Sequence, residues 1–210
     1  MEVTKIAEGL WRWTALHPDW TPEADWDREV ACWYYEGFEG LCLIDPLVPT
    51  YDEERFWEAL DGDVDRLGLP VAVVLTVGWH ERSAAVMQER YGAPVWAFAP
   101  IASRLSCARI HPFQAGDPLP GGLEALDGDG VEEVLLWIPD ERALVSGDLL
   151  LGEPEGVRVC PDTWLPDGVD PASVRANLRM ALTLPIERIL VGHGPPVLAD
   201  GRAALEHALR

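Results

Sequence analysis

Lysine, cysteine and long apolar runs are scarce in this sequence of 210 residues. The 16 basic residues include a single lysine, Lys5, and the 4 cysteines form no Cys-x-x-Cys pair. Four cysteines are too few for a disulfide framework in a chain of this length. The first residues lack the apolar core of a signal peptide, and no run of about 18 apolar residues occurs. We therefore expect a reduced, soluble protein of the cytoplasm.

Positive charge is also in deficit. The 36 Asp and Glu residues against 16 Lys and Arg give a formal net charge of −20 at pH 7. Nucleic acids and anionic membranes bind proteins through positively charged surfaces. The acidity therefore argues against both partners and is typical of a solvated, self-repelling surface. The sequence leaves a homodimer possible.

Several catalytic signatures are missing as well. The sequence contains no P-loop, no dinucleotide-binding glycine fingerprint and no serine nucleophile elbow. Cys42 and Cys107 have no base partner nearby in the sequence, which gives nucleophilic catalysis by a thiol little support. No linker, repeat or charge block divides the chain, and its length suits one domain.

Apolar residues, counted together with the aromatic ones, make up 48% of the chain, and their spacing predicts alternating strands and helices. Strands are predicted where apolar residues alternate or run continuously, at 11–13, 30–34, 41–44, 71–76, 93–99, 123–126, 134–138, 143–146 and 186–192. Helices are predicted at 52–66, 83–91 and 200–209, and Asp170-Pro171 is a typical helix start. This pattern alone indicates an α/β or α+β fold.

Three polar loops directly follow predicted strands. They are residues 76–82, 146–148 and 191–196, and they contain His80, Asp148 and His193. Because α/β proteins commonly place their sites at the carboxyl ends of buried strands, these loops are the candidates for a functional site. Each signal alone is weak, since an Asp after a Gly is usually a turn residue.

The order and spacing of these segments resemble the metallo-β-lactamase superfamily of hydrolases. LIDPLVP at 43–49 looks like the family's early strand ending in Asp, and VLTVGWHERSAA at 74–85 stands in place of its Thr-His-x-His-x-Asp-His loop. ALVSGDLLL at 143–151 resembles the segment with the metal-bridging Asp, and ILVGHGPPV at 189–197 the segment with the last His ligand. The resemblance implies a single domain over residues 1–210, folded as a four-layer αββα sandwich.

The metal-binding loop departs from the family pattern. Val77 and Trp79 stand at the positions of its first two His ligands, and the nearest equivalent of a further His is Asp129. Valine and tryptophan offer no lone pair to a divalent ion. The resemblance therefore implies that the first metal site, and with it the dinuclear zinc centre, is lost.

The family's second metal site would keep two carboxylates and one imidazole, from Glu81, Asp148 and His193. Iron and manganese accept such a set, and zinc tolerates it. Arg82 stands where the loop has its last His; it stays protonated, and its planar guanidinium could pair with Asp148 or Glu81 in place of a metal. We predict a metal-free site, with one zinc, iron or manganese ion on Glu81, Asp148 and His193 as the alternative.

Four residues near these loops suit a ligand pocket or catalysis. Trp79 would make the former metal cavity drier, and Arg82 and His17 are the other predicted ligand contacts. His80, one residue away from a ligand position of the family, is suited to be a substitute ligand or a general base. The simpler interpretation of His80 is a histidine hydrogen-bonded within its own loop.

Three functions remain open at this stage. We predict a diverged family member that keeps a small-molecule pocket without the dinuclear zinc centre. The first alternative is a hydrolase of an ester- or amide-like small molecule that uses one metal ion, with His80, Asp148 and His193 as the catalytic residues. The second alternative is a protein-interaction module that uses the pocket or a tryptophan-rich surface, since the chain has 10 tryptophans.

Overall fold

The computed structural model describes residues 1–126 and 132–210. Asp129, the nearest equivalent of a family His ligand, lies outside the described residues. Within them, the chain forms strands in three sheets and five α-helices. No helix in this part of the chain is both long enough and apolar enough to cross a membrane.

The first sheet has seven strands, which follow one another in chain order. They are β1 (Val3–Ala7), β2 (Leu10–Leu16), β3 (Glu29–Gly37), β4 (Gly40–Ile44), β5 (Val71–Leu75), β6 (Val95–Phe98) and β7 (Ile110–Phe113). Neighbours from β1 to β4 are antiparallel, and those from β4 to β7 are parallel. Every residue of β4 and β5 is buried, as the continuous apolar runs predict for strands covered on both faces.

The second sheet has four strands in the order β13-β10-β9-β8, and a two-stranded ribbon follows β10 in the chain. Its members are β8 (Glu124–Leu126), β9 (Leu135–Ile138), β10 (Ala143–Ser146) and β13 (Arg188–Val191), and the ribbon pairs β11 (Leu150–Glu153) with β12 (Gly156–Val159). Strands β8, β9 and β10 are antiparallel. Strand β13 lies parallel to β10 with Val191 opposite Ser146, so the loops after these two strands leave the sheet side by side.

The five helices are α1 (Glu53–Leu67), α2 (Ala84–Tyr91), α3 (Ala99–Ala102), α4 (Pro171–Met180) and α5 (Gly201–Ala208). Helix α1 buries Phe56 and Leu60, which are four residues apart and therefore lie on one face. Helix α4 starts where Asp170-Pro171 predicts: the Asp170 side chain accepts a hydrogen bond from the backbone N–H of Ala172 at 3.0 Å.

Three apolar clusters hold the layers together. The first joins one face of the seven-stranded sheet to α1 and α2, for example Leu43 to Phe56 and Met87. The second lies between the two sheets, and the third packs the outer face of the four-stranded sheet against α4 and α5 through Leu178 and Leu205. Helices therefore cover both outer faces of two stacked sheets, and the predicted four-layer αββα sandwich is confirmed.

The cap of α4 gives a direct test of the local sequence signal. Asp170→Ala removes the acceptor of the Ala172 N–H and should lower the free energy of unfolding by about 1 kcal/mol. Asp170→Asn keeps an equally good capping side chain and should cost much less. Urea unfolding of both variants measures the difference. An equal loss in both would mean that the negative charge, and not the cap, stabilises α4.

Candidate functional site

Three side chains from the predicted loops come together at one end of the sandwich. Nε2 of His80 lies 3.3 Å from Oδ1 of Asp148, and Nε2 of His193 lies 3.2 Å from the same oxygen. One ligand atom from each of the three residues lies within 4.8 Å of the other two. His80 is in a short 3₁₀ turn, Gly78–Glu81, after β5, whereas Asp148 and His193 follow the parallel strands β10 and β13.

The other nitrogen of His80 contacts a second carboxylate. Oδ2 of Asp45, which directly follows β4, lies 2.9 Å from Nδ1 of His80. Asp45 also accepts hydrogen bonds from the backbone N–H of Thr76 at 2.9 Å and from its hydroxyl at 2.5 Å. In the sequence this Asp stands out only as the end of a strand, and no role was predicted for it. The signal was the one used for the other loops, a polar residue directly after a buried strand.

Two glycines allow the loops to close around the His80 ring. A Cβ on Gly147 would lie 2.4 Å from Oγ1 of Thr76, and one on Gly192 would lie 2.6 Å from the carbonyl oxygen of Gly147. In both cases the added carbon would also approach Cε1 of His80 within 3.3 Å. Side chains at these positions would displace the hydroxyl that Asp45 binds or separate the two loops.

Asp148 is held from two further sides. The indole N–H of Trp79 donates to its Oδ2, and its backbone N–H donates to Glu133 at 2.8 Å. The buried Glu133 carboxylate also accepts from the hydroxyl of Ser146 at 2.9 Å and from the backbone N–H of Leu149 at 3.1 Å. Glu133 was not among the predicted site residues. Its signal is weak, because an acidic residue just before an apolar strand usually faces solvent.

The pKa values of the buried groups reflect this crowding. Burial and Arg82 both lower the pKa of His80, but the Asp148 and Asp45 carboxylates outweigh them and raise it to about 9. Burial acts to raise the pKa of Asp148, yet the two imidazoles hold it well below its usual range. Burial, and then the neighbouring Asp148 charge, raise the pKa of Glu133 to about 7.

The unpaired carboxylate oxygen of the site and its donor types fit a metal ion. Oδ1 of Asp148 is buried and makes no hydrogen bond, although it lies close to both imidazoles. Two imidazole nitrogens and one carboxylate oxygen form a set that zinc, iron and manganese accept. Metal-binding histidines usually donate their other N–H to a carboxylate, as His80 can do to Asp45.

The predicted ligand Glu81 does not join this group. Its Oε1 accepts hydrogen bonds from the backbone N–H groups of Ser106 and Cys107 at 2.7 and 2.8 Å, and from the Ser106 hydroxyl at 2.9 Å. In the tight turn that contains both residues, neighbouring side chains point in different directions, so His80 faces Asp148 and Glu81 faces the segment before β7. His80 therefore takes the place that the resemblance gave to Glu81.

Contrary to the prediction, Arg82 forms no ion pair with Asp148 or Glu81 in the part of the chain that the structure describes. Nη1 of Arg82 instead donates to the backbone carbonyl oxygens of Asp45 at 3.1 Å and Ala31 at 3.4 Å. These carbonyls bind the guanidinium beside the neighbouring strands β3 and β4, so its charge does not replace a metal between the carboxylates. The predicted pairing of Arg82 with a carboxylate was therefore wrong.

A cavity of about 410 Å³ opens beside the group. His80, Asp148 and His193 line it, and so do the three predicted ligand contacts, Trp79, Arg82 and His17. Its further lining is mixed: acidic side chains at 19, 25, 132 and 133, indole rings at 26 and 164, and the mostly apolar residues Leu149, Cys160, Leu165 and Pro166. A pocket of this size suits a small molecule.

Comparison with known proteins agrees with this architecture. A family model of the metallo-beta-lactamase superfamily matches residues 70–193, which contain the three grouped side chains. Among curated proteins, none matches the sequence at a significant level.

Solved structures of the same superfamily share the fold over almost the whole chain. A metallo-beta-lactamase from Pontibacter korlensis is 22% identical, with a TM-score of 0.69 over 99% of this chain and 96% of its own. The DIM-1 metallo-beta-lactamase is 15% identical, with a TM-score of 0.70 over 99% of this chain and 94% of its own. A metallo-beta-lactamase family protein from Thermus thermophilus is 18% identical, with a TM-score of 0.66 over 97% and 79%. With a family model that matches more than half of its residues, the chain belongs to the metallo-beta-lactamase superfamily.

Proposed function

We propose that this protein binds one divalent metal ion through His80, Asp148 and His193 and hydrolyses an ester- or amide-like small molecule in the adjoining cavity. The observation that carries the proposal is the approach of three ligand atoms to within 4.8 Å of one another in the wall of that cavity. Three protein ligands are typical of catalytic metal sites, which keep a position open for substrate. A bound ion would supply Lewis acidity to a carbonyl or ester oxygen.

The chain's own residues prepare the ligands for this role. Asp45 accepts the Nδ1 proton of His80 and so leaves Nε2 free to bind an ion. Trp79 holds one oxygen of Asp148 and leaves Oδ1 facing the two imidazoles. Glu133 accepts the backbone N–H of Asp148 and so fixes the turn that presents this carboxylate.

The cavity walls would orient a small substrate and reduce the water around it. Leu149 and Cys160 contribute buried apolar side chains to the lining, and Trp79, exposed by 54%, lines it as well. Water displaced from these side chains by a substrate would strengthen the interaction between the reacting group and the charges of the site.

A metal-free binding pocket is the second candidate function. The observation in its favour is that both imidazoles contact the Asp148 carboxylate, at 3.3 and 3.2 Å, and a proton on either one would neutralise it without an ion. The proposed replacement of the metal by Arg82 is no longer part of this candidate. All 10 tryptophans lie within residues 1–126 and 132–210, and among them only Trp79 is strongly exposed, so no tryptophan-rich surface in this part of the chain supports an interaction module.

Metal content tests the first candidate against the second. Chelator-stripped protein dialysed against zinc, manganese or ferrous iron should hold about one equivalent by elemental analysis. Asp148→Asn should reduce it to background, whereas Glu132→Gln should not, because that cavity carboxylate pairs with Arg104 instead. Hydrolysis of chromogenic esters or amides should depend on the same ion and the same carboxylate.

Three results would overturn the metal-dependent proposal. One is a folded wild-type protein that holds no metal at saturating concentrations, which would favour the metal-free pocket. Another is full metal content in Asp148→Asn. The third is loss of metal from Glu81→Gln with Asp148→Asn unaffected, which would restore the ligand set predicted from the family pattern.

Asp45 gives a second test through the orientation of His80. Asp45 has a positive φ of 49°, a conformation that Asn also tolerates, so Asp45→Asn should keep the backbone while weakening the acceptor for Nδ1. We expect metal affinity to fall by about 10- to 100-fold, measured by competition with a chromogenic chelator.

Asp200→Asn is the matched control for this variant. Asp200 also has a positive φ, 55°, but it precedes α5 and does not line the cavity. Metal affinity should stay at the wild-type value in this variant. Equal affinities in Asp45→Asn and the wild type would show that Asp45 does not orient a metal ligand.

A further inference from the structure

Two indole rings stand against His193 on the cavity side. The ring of Trp26 lies edge-on to His193 with centroids 5.5 Å apart, and the ring of Trp164 does so at 6.1 Å. His17 packs edge-on against Trp26 at 5.1 Å. All four residues line the same cavity, and both indoles are only partly buried. This aromatic corner therefore presents ring surface to whatever occupies the cavity.

A carboxylate is bonded directly to this corner. Oδ2 of Asp25 accepts the indole N–H of Trp164 at 2.7 Å. A hydrogen bond to an anion shifts electron density into the donor's ring, which makes the face of Trp164 more attractive to a positive charge. Asp19 and Asp25 are the two exposed carboxylates of the cavity lining. Neither forms an ion pair among residues 1–126 and 132–210.

Carboxylates outnumber cationic side chains in the lining of the cavity. The lining contains five carboxylates and one guanidinium, that of Arg82, whose Nη1 already donates to backbone carbonyls. Glu132 is paired with Arg104, Asp148 contacts two imidazoles, and Glu133 is buried among hydrogen-bond donors, so the carboxylates left without a partner of opposite charge are Asp19 and Asp25. These would repel an anion, and an apolar ligand would remove water from them without pairing them.

His193 joins this corner to the group of three side chains. It is 8% exposed and lines the cavity beside both indoles, and its Nε2 lies 3.2 Å from Oδ1 of Asp148. A ligand that lies against the two indoles therefore also lies next to the proposed metal site.

We propose that the ligand of this cavity carries a positively charged ammonium group, which lies against Trp26 and Trp164 and pairs with the carboxylate of Asp25. Aromatic rings with an adjacent carboxylate are a recurrent way to bind quaternary ammonium groups. The assignment of this ligand as the substrate rests on the proposed function. The ammonium site itself uses no metal-binding residue as a partner for the charge.

The neighbouring cavity differs in its charge. It shares Asp25, Trp26, Trp164 and His193 with the first cavity but adds Arg28 and Arg158, so its lining has two guanidinium groups for two carboxylates. The ammonium group is therefore expected on the side of His17 and His80, where Arg82 is the sole guanidinium of the lining.

Binding of three matched probes tests the proposal. They are choline, its neutral tert-butyl analogue and the anion tert-butylacetate, measured by calorimetry on the full chain after chelation and again after metal loading. Choline should bind at least about tenfold more tightly than the neutral analogue, and the anion should bind most weakly. Equal binding of choline and the neutral analogue, or tighter binding of the anion, would overturn the proposal.

Variants test whether the aromatic corner and Asp25 cause the preference for choline. Asp25→Asn should weaken choline by about five- to tenfold and leave the neutral analogue unchanged, and Trp164→Leu should weaken choline by a similar factor. Glu23→Gln makes the same change of charge in the same loop, outside both cavities, and should bind like the wild type. If Trp164→Leu does not fold, Trp164→Phe keeps a weaker aromatic face and should give an intermediate affinity. Wild-type affinity in Asp25→Asn would overturn the proposal.

Measurements on the chelated and on the metal-loaded protein distinguish this inference from the proposed function. Choline binding to the chelated protein with no metal uptake would leave the ammonium site standing and refute the metal centre. Metal uptake without a preference for choline would refute the ammonium site alone.

Discussion

The site depends on one buried imidazole held between two carboxylates. His80 contacts Asp45 through Nδ1 and Asp148 through Nε2, and it is almost completely buried. Buried carboxylates are costly unless hydrogen bonds or opposite charges satisfy them. Thr76 satisfies Asp45 with two hydrogen bonds, and Glu133 fixes the backbone of Asp148. The ends of β4, β5 and β10 are therefore connected through a single ring.

This connection explains how a chain of the superfamily keeps an organised centre without the usual histidines. Val77 and Trp79 cannot bind a metal, but the indole of Trp79 donates to one oxygen of Asp148 and leaves the other beside two imidazoles. His80 lies one position away from a ligand position of the family pattern. Its imidazole brings a nitrogen atom to the group, which the family pattern would take from histidines at adjacent sequence positions. The result is a group of three side chains beside a cavity, with one ligand atom of each within 4.8 Å of the others.

Much of the fold could be predicted from the sequence, because continuous apolar runs and helix-start residues are local signals. The proximity of Asp148 and His193 could also be predicted, since the resemblance places both in one set of metal ligands. The choice between His80 and Glu81 was not accessible. It depends on how a four-residue turn directs adjacent side chains. Nor could the sequence show that carbonyl oxygens bind Arg82, or that Glu133 is buried, because these contacts join segments far apart in the chain.

A crystal soaked in zinc and measured at the zinc absorption edge tests the central claim most directly. The account predicts one anomalous peak at about 2.0–2.2 Å from Nε2 of His80, Nε2 of His193 and a carboxylate oxygen of Asp148. The Nδ1 atom of His80 should stay within hydrogen-bonding distance of Asp45. A peak at Glu81, or no peak beside an unchanged His80 at saturating zinc, would contradict it.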